Sequence, residues 1–180
     1  MRNLRLSGIF VATLFVFAAL PALGQSGIRQ REQRVFSAID EGVKHPIAVP
    51  AEVLALLGKD ERVRHVLEDE NIQSAKLPDS WFSAAQIQLG NVREKDLIVM
   101  GEGPLRGANI IPFWVILHAG QDFRIALSIH TLDLEVKRTL SHGYRDLETN
   151  AATAGTVTTL QFRFNGHGYK ESSEKTTDIK

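Results

Sequence analysis

The feature that most constrains this chain is a change of hydrophobic pattern at Trp81. From there on, short runs rich in β-branched and aromatic residues follow one another, separated by turns of Gly, Asn and Asp. No long helical segment lies between these runs, and parallel pairing would need crossover connections of about a dozen residues or more. The sequence therefore predicts an antiparallel β-meander of six to eight strands over residues 79–171, followed by a polar, disordered tail over residues 172–180.

The segment before Trp81 follows a helical period, and residues 25–78 are predicted to form the helical N-terminal part of the same domain. A second predicted helix opens at Pro50 and stops at Gly58, and a third follows in residues 59–70. The predicted fold class is thus α+β, with N-terminal helices followed by an antiparallel β-meander. The first predicted helix lies in residues 28–45, where its apolar face comprises Ile28, Val35, Phe36, Ile39 and Val43.

Two hairpins can be given a register from their turn residues. Asn165-Gly166 suits a two-residue type I′ turn, and Gly120-Gln121 suits a type II′ turn. The predicted pairs are Phe164–His167 and Phe162–Tyr169 in the first hairpin, and His118–Phe123, Ile116–Ile125 and Trp114–Leu127 in the second. A slip of one residue would exchange the two faces of either hairpin.

The N-terminus has the pattern of a secretory signal peptide over residues 1–24. Arg2 and Arg5 precede the uncharged apolar run "SGIFVATLFVFAAL", and the small residues of "ALG" predict cleavage before Gln25. The apolar run is shorter than the ~20 residues that a membrane-spanning helix needs. We therefore expect a bacterial protein that is periplasmic or secreted, with no stable membrane anchor after cleavage.

Composition narrows the chemistry of the mature chain. The absence of cysteine excludes disulfides, thiol catalysis and thiolate metal sites. The 21 basic and 21 acidic residues become 19 and 21 once the two arginines of the signal are removed, which leaves a net charge of −2 with neutral histidines. This balance gives no reason to expect nucleic acid as a partner. No motif indicates a cofactor, and no pair of histidines has the spacing of a metal site.

The glycine-rich stretch "GEGPLRGAN" after the run "DLIVM" raises the question of nucleotide binding. A dinucleotide loop requires a helix N-terminus after its glycines. Here the chain continues as "IIPFWVIL", which predicts an extended segment, and the lysine of a P-loop is missing. We interpret the stretch as a long connection between strands.

Long ordered loops are often functional, so this loop is the first candidate for a contact surface. Glu102 and Arg106 supply its charges, and the loop leads into Phe113 and Trp114, which are candidate anchors for a partner. Both aromatic side chains also suit a core, and Trp114 suits it better than Phe113. The partner predicted for such a surface is a protein, a peptide or a glycan.

Catalytic patterns are weak, so a non-enzymatic binding or inhibitor module is the leading interpretation. Ser141 and His142 are neighbours, and adjacent residues of an extended chain face opposite ways, so they form a poor nucleophile–base pair. The alternative is a small periplasmic hydrolase with an unrecognised site. A cleft that holds His142, Asp146 and a serine would favour this alternative.

Three stretches together resemble a group of uncharacterised exported bacterial proteins. They are "IAVPAEVLALLGKDERV", "DLIVMGEGPLRGANIIPFWVILHAG" and "LSHGYRDLETNAATAGTVTTLQFRFNGHGYK", which span most of the mature chain. The closing pattern of the group appears here as Phe164, Gly166 and Tyr169, with an extra glycine at 168. The resemblance implies export and a β-rich C-terminal half, and it carries no catalytic residue.

Overall fold

The computed structural model describes residues 32–39, 42–73, 76–90, 95–108, 110–120 and 122–179. The predicted signal peptide lies outside these residues. Antiparallel β-structure dominates the described chain, which also contains two short helices. The elements are β1 (Val35–Ser37), α1 (Ala51–Leu57), α2 (Glu61–Asp69), β2 (Phe82–Ile87), β3 (Asp96–Gly101), β4 (Ile111–Ala119), β5 (Asp122–Thr131), β6 (Asp133–Ser141), β7 (Tyr144–Thr153), β8 (Thr156–Phe164) and β9 (Tyr169–Asp178).

The strands form two sheets that share one core. The first has the order β1-β6-β7-β8-β9, and the second has the order β2-β3-β4-β5. Because β4 is covered on both faces, nearly all of its residues are apolar. Phe113, Val115 and Leu117 face the first sheet, whereas Trp114 and Ile116 belong to a second cluster that includes the helices.

The two helices cover the outer face of the four-stranded sheet with residues spaced at the helical period. Val53 and Leu57 of α1 and Val63 and Leu67 of α2 are buried in the same cluster as Trp114. This burial accounts for the helices, because segments this short are unstable alone in water. The described chain is therefore layered as helices, four-stranded sheet and five-stranded sheet.

Asp60 fixes α2 to the sheet. Its Oδ1 accepts a hydrogen bond from the backbone N–H of Arg62 at 3.1 Å, which caps the helix. Its Oδ2 accepts two further bonds, from the Trp114 indole and from the Ser128 hydroxyl, each at 2.9 Å. One carboxylate thus caps a helix and accepts the hydrogen bond of a buried indole. This polar cluster therefore has a structural role.

The predicted helix over residues 28–45 is wrong throughout its described part. Residues 35–37 form β1 instead, where Phe36 is fully buried between the sheets while Val35 is exposed. Backbone hydrogen bonds join this segment to β6, with Val136 donating to the Arg34 carbonyl at 2.8 Å. A helical face would also have needed Ile39 in the core, yet its side chain is 73% exposed. Strand alternation therefore explains the apolar residues better than a helical period does.

The β4–β5 hairpin has the predicted register near its turn and loses it further away. His118 pairs with Phe123 and Ile116 with Ile125, as expected. A bulge between Val115 and Ile116 then inserts one residue into β5, so that Trp114 lies opposite Ser128 instead of Leu127. The shift brings Ser128 to the helical side of the sheet, where it reaches Asp60.

The β8–β9 connection is longer than the predicted two-residue turn. The Asn165 side chain accepts hydrogen bonds from the backbone N–H groups of His167 and Gly168, each at 3.0 Å, and closes a four-residue loop. Phe164 therefore pairs with Tyr169, not with His167. Because the register moves by two residues, the predicted apolar face survives the error.

The predicted disordered tail is also wrong over residues 172–178. These residues continue β9, which pairs with β8 as far as Asp178 opposite Thr156. Every residue of β9 after Tyr169 is exposed, so the polar composition reflects an edge strand with solvated side chains. The order of this segment comes from backbone pairing, which composition does not reveal.

Candidate functional site

The glycine-rich loop has the extended continuation that the sequence predicted. A 3₁₀ turn over Gly103–Leu105 follows β3, and β4 begins at Ile111, so among the described residues 102–108 and 110 no α-helix begins after the glycines. Gly101 is required by packing, because a Cβ there would lie 2.4 Å from the Pro112 ring. The loop is a connection between strands without the geometry of a dinucleotide site.

Glu102 and Arg106, the predicted contact residues of this loop, bond within the protein. They form an ion pair at 3.0 Å, and the second guanidinium nitrogen of Arg106 donates to the Ala38 carbonyl at 2.8 Å. Arg106 thus joins the loop to the segment after β1. Both side chains are partly exposed, and their contacts give them a structural role.

Phe113 and Trp114, the predicted anchors, are both 0% exposed. Phe113 lies in the core between the sheets, and Trp114 lies beneath the helices with its indole bonded to Asp60. Neither side chain can contact a partner at the surface, so their prediction as binding residues is wrong. Both faces of β4 are covered by other elements, and the sequence of a single strand does not show which of its faces are covered.

A cavity of about 440 Å³ opens instead where β6 departs from regular pairing. Val136 pairs with Leu147 and Leu140 pairs with Arg145, so residues 137–139 of β6 lie opposite the single residue Asp146 of β7. We call residues 137–139 the bulge segment. The extra residues push β6 away from its neighbour and leave space at this point of the sheet.

A change of partner along β7 contributes to the same opening. From Leu147 onward, β7 pairs with β8, beginning opposite Phe162. Before Leu147, however, the Arg145 N–H donates to the Leu89 carbonyl at 2.8 Å, and Tyr144 bridges to Gly90. Asp146 therefore stands where one edge of β7 changes its partner from β8 to the segment after β2. The cavity is lined by Lys137, Thr139, Leu140, Ser141, Asp146, Leu147, Gln161, Phe162 and Arg163.

Asp146 carries the most unusual atom of this cavity. Its Oδ1 is inaccessible to solvent, and no donor among the described residues bonds to it. Buried polar atoms are almost always hydrogen-bonded, and leaving one without a partner costs about 1–3 kcal/mol. Burial raises the pKa of nearby Tyr169 above its ordinary value, and the charges of Asp96 and Asp146 raise it further. Asp146 is thus a carboxylate between the cavity and the core.

The two cations of the cavity have different surroundings. Lys137 donates to Glu135 at 3.1 Å and to Glu148 at 3.2 Å. Partial burial alone would lower the pKa of Lys137, but these two carboxylates raise it above its ordinary value. Arg163 is exposed and makes no ion pair with any described residue. Only Arg163 therefore offers an uncompensated positive charge to the cavity.

The hydrolase cluster that the sequence suggested is assembled only in part. Ser141 and Asp146 line the same cavity, but His142 is not among its lining residues. His142 and Gly143 form the β6–β7 turn with φ angles of 50° and 81°, and the His142 Nδ1 contacts the Phe164 carbonyl at 2.8 Å. The structure thus places Ser141 and Asp146 at one cavity and leaves His142 outside its lining.

Sequence reasoning missed Lys137, Gln161 and Arg163 as lining residues, because it treated this region as regular strands. One signal was present in the run "LEVKRTLS". Leu134 and Val136 face the core, and strict alternation would place Arg138 there next. A charged residue at an inward position indicates a bulge, and Arg138 is indeed exposed.

Comparison with known proteins gives no match to a protein-family model, to a curated protein or to a solved structure. Within the described part of the chain, no helix is long and apolar enough to cross a bilayer. Nor do three or more His, Asp and Glu side chains of that part cluster in a way that could hold a metal ion. The function is therefore inferred from the cavity itself.

Proposed function

We propose that this protein is an exported binding protein that holds a small polar ligand in the cavity beside the bulge segment. The observation that carries the proposal is the buried Oδ1 of Asp146, to which no described residue donates. A ligand that donates a hydrogen bond to Oδ2, the accessible oxygen of the same carboxylate, would offset part of the cost of leaving this group without a donor. The volume of about 440 Å³ falls in the range of small-molecule sites.

The lining supports a binding role because it combines a few polar groups with a rigid base. Ser141 and Thr139 offer hydroxyl groups, while Leu147 and Phe162 belong to the buried core. The base is therefore rigid, and the polar groups can orient a ligand above it. A site built on strands also needs little rearrangement on binding.

Export is supported by the basic start, the apolar run and the small-residue site of the first 24 residues. Mass spectrometry of protein from the periplasm or the medium should give Gln25 as the first residue. A stable full-length protein in the cytoplasm would contradict export without affecting the cavity.

Ligand binding can be tested by thermal unfolding with a panel of the common amino acids, dipeptides, monosaccharides and dicarboxylic acids. A ligand at a hundred times its Kd stabilises the folded state by about 2.7 kcal/mol, which raises the Tm by several degrees in a domain of this size. The shift should disappear in Asp146→Asn and persist in Asp122→Asn, a matched change of an exposed acid in the β4–β5 hairpin. If no compound raises the Tm, or if both variants respond like wild type, the cavity is not the site.

The second candidate function is hydrolysis, which the shared placement of Ser141 and Asp146 favours. A hydrolase would use Ser141 as a nucleophile and would need a base close to it. A fluorophosphonate probe should then label the wild-type protein and not Ser141→Ala. Absence of labelling leaves the binding role as the better account, since His142 does not line the cavity.

A further inference from the structure

We propose that the ligand of this cavity is a small zwitterion, namely a free α-amino acid with an apolar side chain. The inference rests on the proposed binding function and adds the chemical class of the ligand. It follows from the presence of an acid, Asp146, and a base, Arg163, in the lining of one cavity that also includes the apolar side chain of Leu140.

The first group of the ligand is set by Asp146. A carboxylate oxygen accepts hydrogen bonds, and the bonds with charged donors are about twice as strong as those between neutral groups. A partly buried carboxylate without a partner is also favoured by a positive charge beside it. An ammonium group meets both requirements at Oδ2, the accessible oxygen, whereas a ligand hydroxyl meets only the first. The geometry thus favours a cationic donor at this end of the cavity.

The second group is set by Arg163. It follows Phe162, and Asp146 precedes Leu147, so both charged residues lie at the same end of the antiparallel pair Leu147–Phe162. They nevertheless form no ion pair with each other. A guanidinium binds a carboxylate with two parallel hydrogen bonds. A ligand that carries both an ammonium and a carboxylate would bridge the gap between these side chains.

Lys137 does not alter this balance of charge. Its ammonium is held by Glu135 and Glu148, so it contributes little net attraction for an anion. Glu148 and Asp146 would repel a doubly charged anion such as a phosphate. Lys137 has more than one carboxylate to match it, so Asp146 and Arg163 remain as the two opposite charges that a ligand with both an ammonium and a carboxylate can contact.

The apolar part of the lining indicates the side chain of the ligand. Leu140 lines the cavity and is 57% exposed, although most large apolar side chains of the described residues are buried. Covering its apolar surface would favour a complex through the hydrophobic effect. A ligand with an aliphatic side chain would make this contact, so L-leucine is a suitable probe.

Isothermal titration calorimetry with three probes tests each group separately. L-leucine carries both charges, N-acetyl-L-leucine lacks the ammonium, and L-leucinamide lacks the carboxylate. We expect L-leucine to bind at least about tenfold more tightly than either derivative, because each derivative leaves one charged side chain unpaired. Equal affinity for all three probes would overturn the zwitterion.

Variants then assign the two ends of the ligand. Asp146→Asn should weaken L-leucine at least about tenfold and leave N-acetyl-L-leucine unchanged, whereas Arg163→Gln should weaken L-leucine and leave L-leucinamide unchanged. Both residues lack ion pairs among the described residues, so neither change removes one. Arg138→Gln is the matched control, since Arg138 is exposed in the bulge segment but does not line the cavity. If Arg138→Gln weakens L-leucine as much as Arg163→Gln does, the assignment to Arg163 is wrong.

The calorimetry and the panel of compounds separate the two levels of the proposal. If L-leucine fails to bind while another compound raises the Tm in an Asp146-dependent way, the zwitterion is wrong and the binding function stands. If no compound raises the Tm and L-leucine fails to bind, both are wrong. L-leucine binding that Asp146→Asn and Arg163→Gln leave unchanged would place its site elsewhere on the protein.

Discussion

Asp60 offers the sharpest test of how the helical layer is held on the sheet. In Asp60→Ala, helix α2 loses its cap, and the fully buried indole of Trp114 loses its acceptor. Losing a helix cap costs about 1 kcal/mol. A buried donor without an acceptor costs about 1–3 kcal/mol more. The free energy of unfolding should therefore fall by about 2–4 kcal/mol.

Asp60→Asn separates the two contributions. Asparagine caps helices as well as aspartate does, so its side-chain oxygen can retain the bond from the Arg62 N–H. Its amide nitrogen cannot accept the bond from the Trp114 indole, so the tertiary cost of about 1–3 kcal/mol remains. The difference between the two variants should then be about 1 kcal/mol, the contribution of the cap.

Urea unfolding of the wild type and both variants measures these differences from the midpoints, provided that the slopes agree. Wild-type stability in Asp60→Asn would show that the indole bond contributes nothing. A loss below about 0.5 kcal/mol in Asp60→Ala would refute the structural role of the whole cluster, because ordinary surface changes fall within that range.

Three further changes test other parts of the structure. Ending the chain at Lys170 should lower the urea midpoint, because it removes most of β9 from its pairing with β8; an unchanged midpoint would restore the disordered tail. Burial raises the pKa of Asp96 above 3.8, so the folded state binds its proton more tightly than the unfolded state does. The stability advantage of the wild type over Asp96→Asn should therefore shrink as the pH rises above 3.8, and a growing advantage in urea unfolding would contradict this sign. Gly101→Ala should lower the Tm because its Cβ would meet the Pro112 ring, and an unchanged Tm would show that the ring yields freely.

The elements that the sequence predicted well are those whose pattern is decided locally. The Gly120 turn set the first pairs of the β4–β5 hairpin, and the absence of a helix after Gly107 excluded a dinucleotide loop. The antiparallel sheet followed from the short connections between strands. In each case the conformation is determined by residues that are close together along the chain.

The errors arise where a distant segment decides the outcome. Phe36 was assigned to a helix because its burial against β6 depends on a strand about a hundred residues away. The order of β9 likewise depends on the edge of β8, and the burial of Phe113 depends on a second sheet. Local composition and periodicity do not reveal contacts between segments that are far apart along the chain.

The cavity was hidden for the same reason. It exists because β6 bulges opposite Asp146 while β7 changes neighbours, and neither event shows in strand propensity. Asp146 was named as part of a catalytic cluster, whereas Arg163 was not predicted as a site residue. One signal of this irregularity was present in the sequence: strict strand alternation would turn the charged side chain of Arg138 toward the core.

Mapping of backbone amide chemical shifts tests the central proposal most directly. L-leucine added to ¹⁵N-labelled protein should produce its largest shifts at Ser141, Asp146 and Arg163, which line the cavity. The amides of Glu102 and Arg106, in the glycine-rich loop, should remain unchanged. Unchanged amides around Asp146 at saturating L-leucine, or largest shifts in the glycine-rich loop, would contradict a zwitterion site in the cavity.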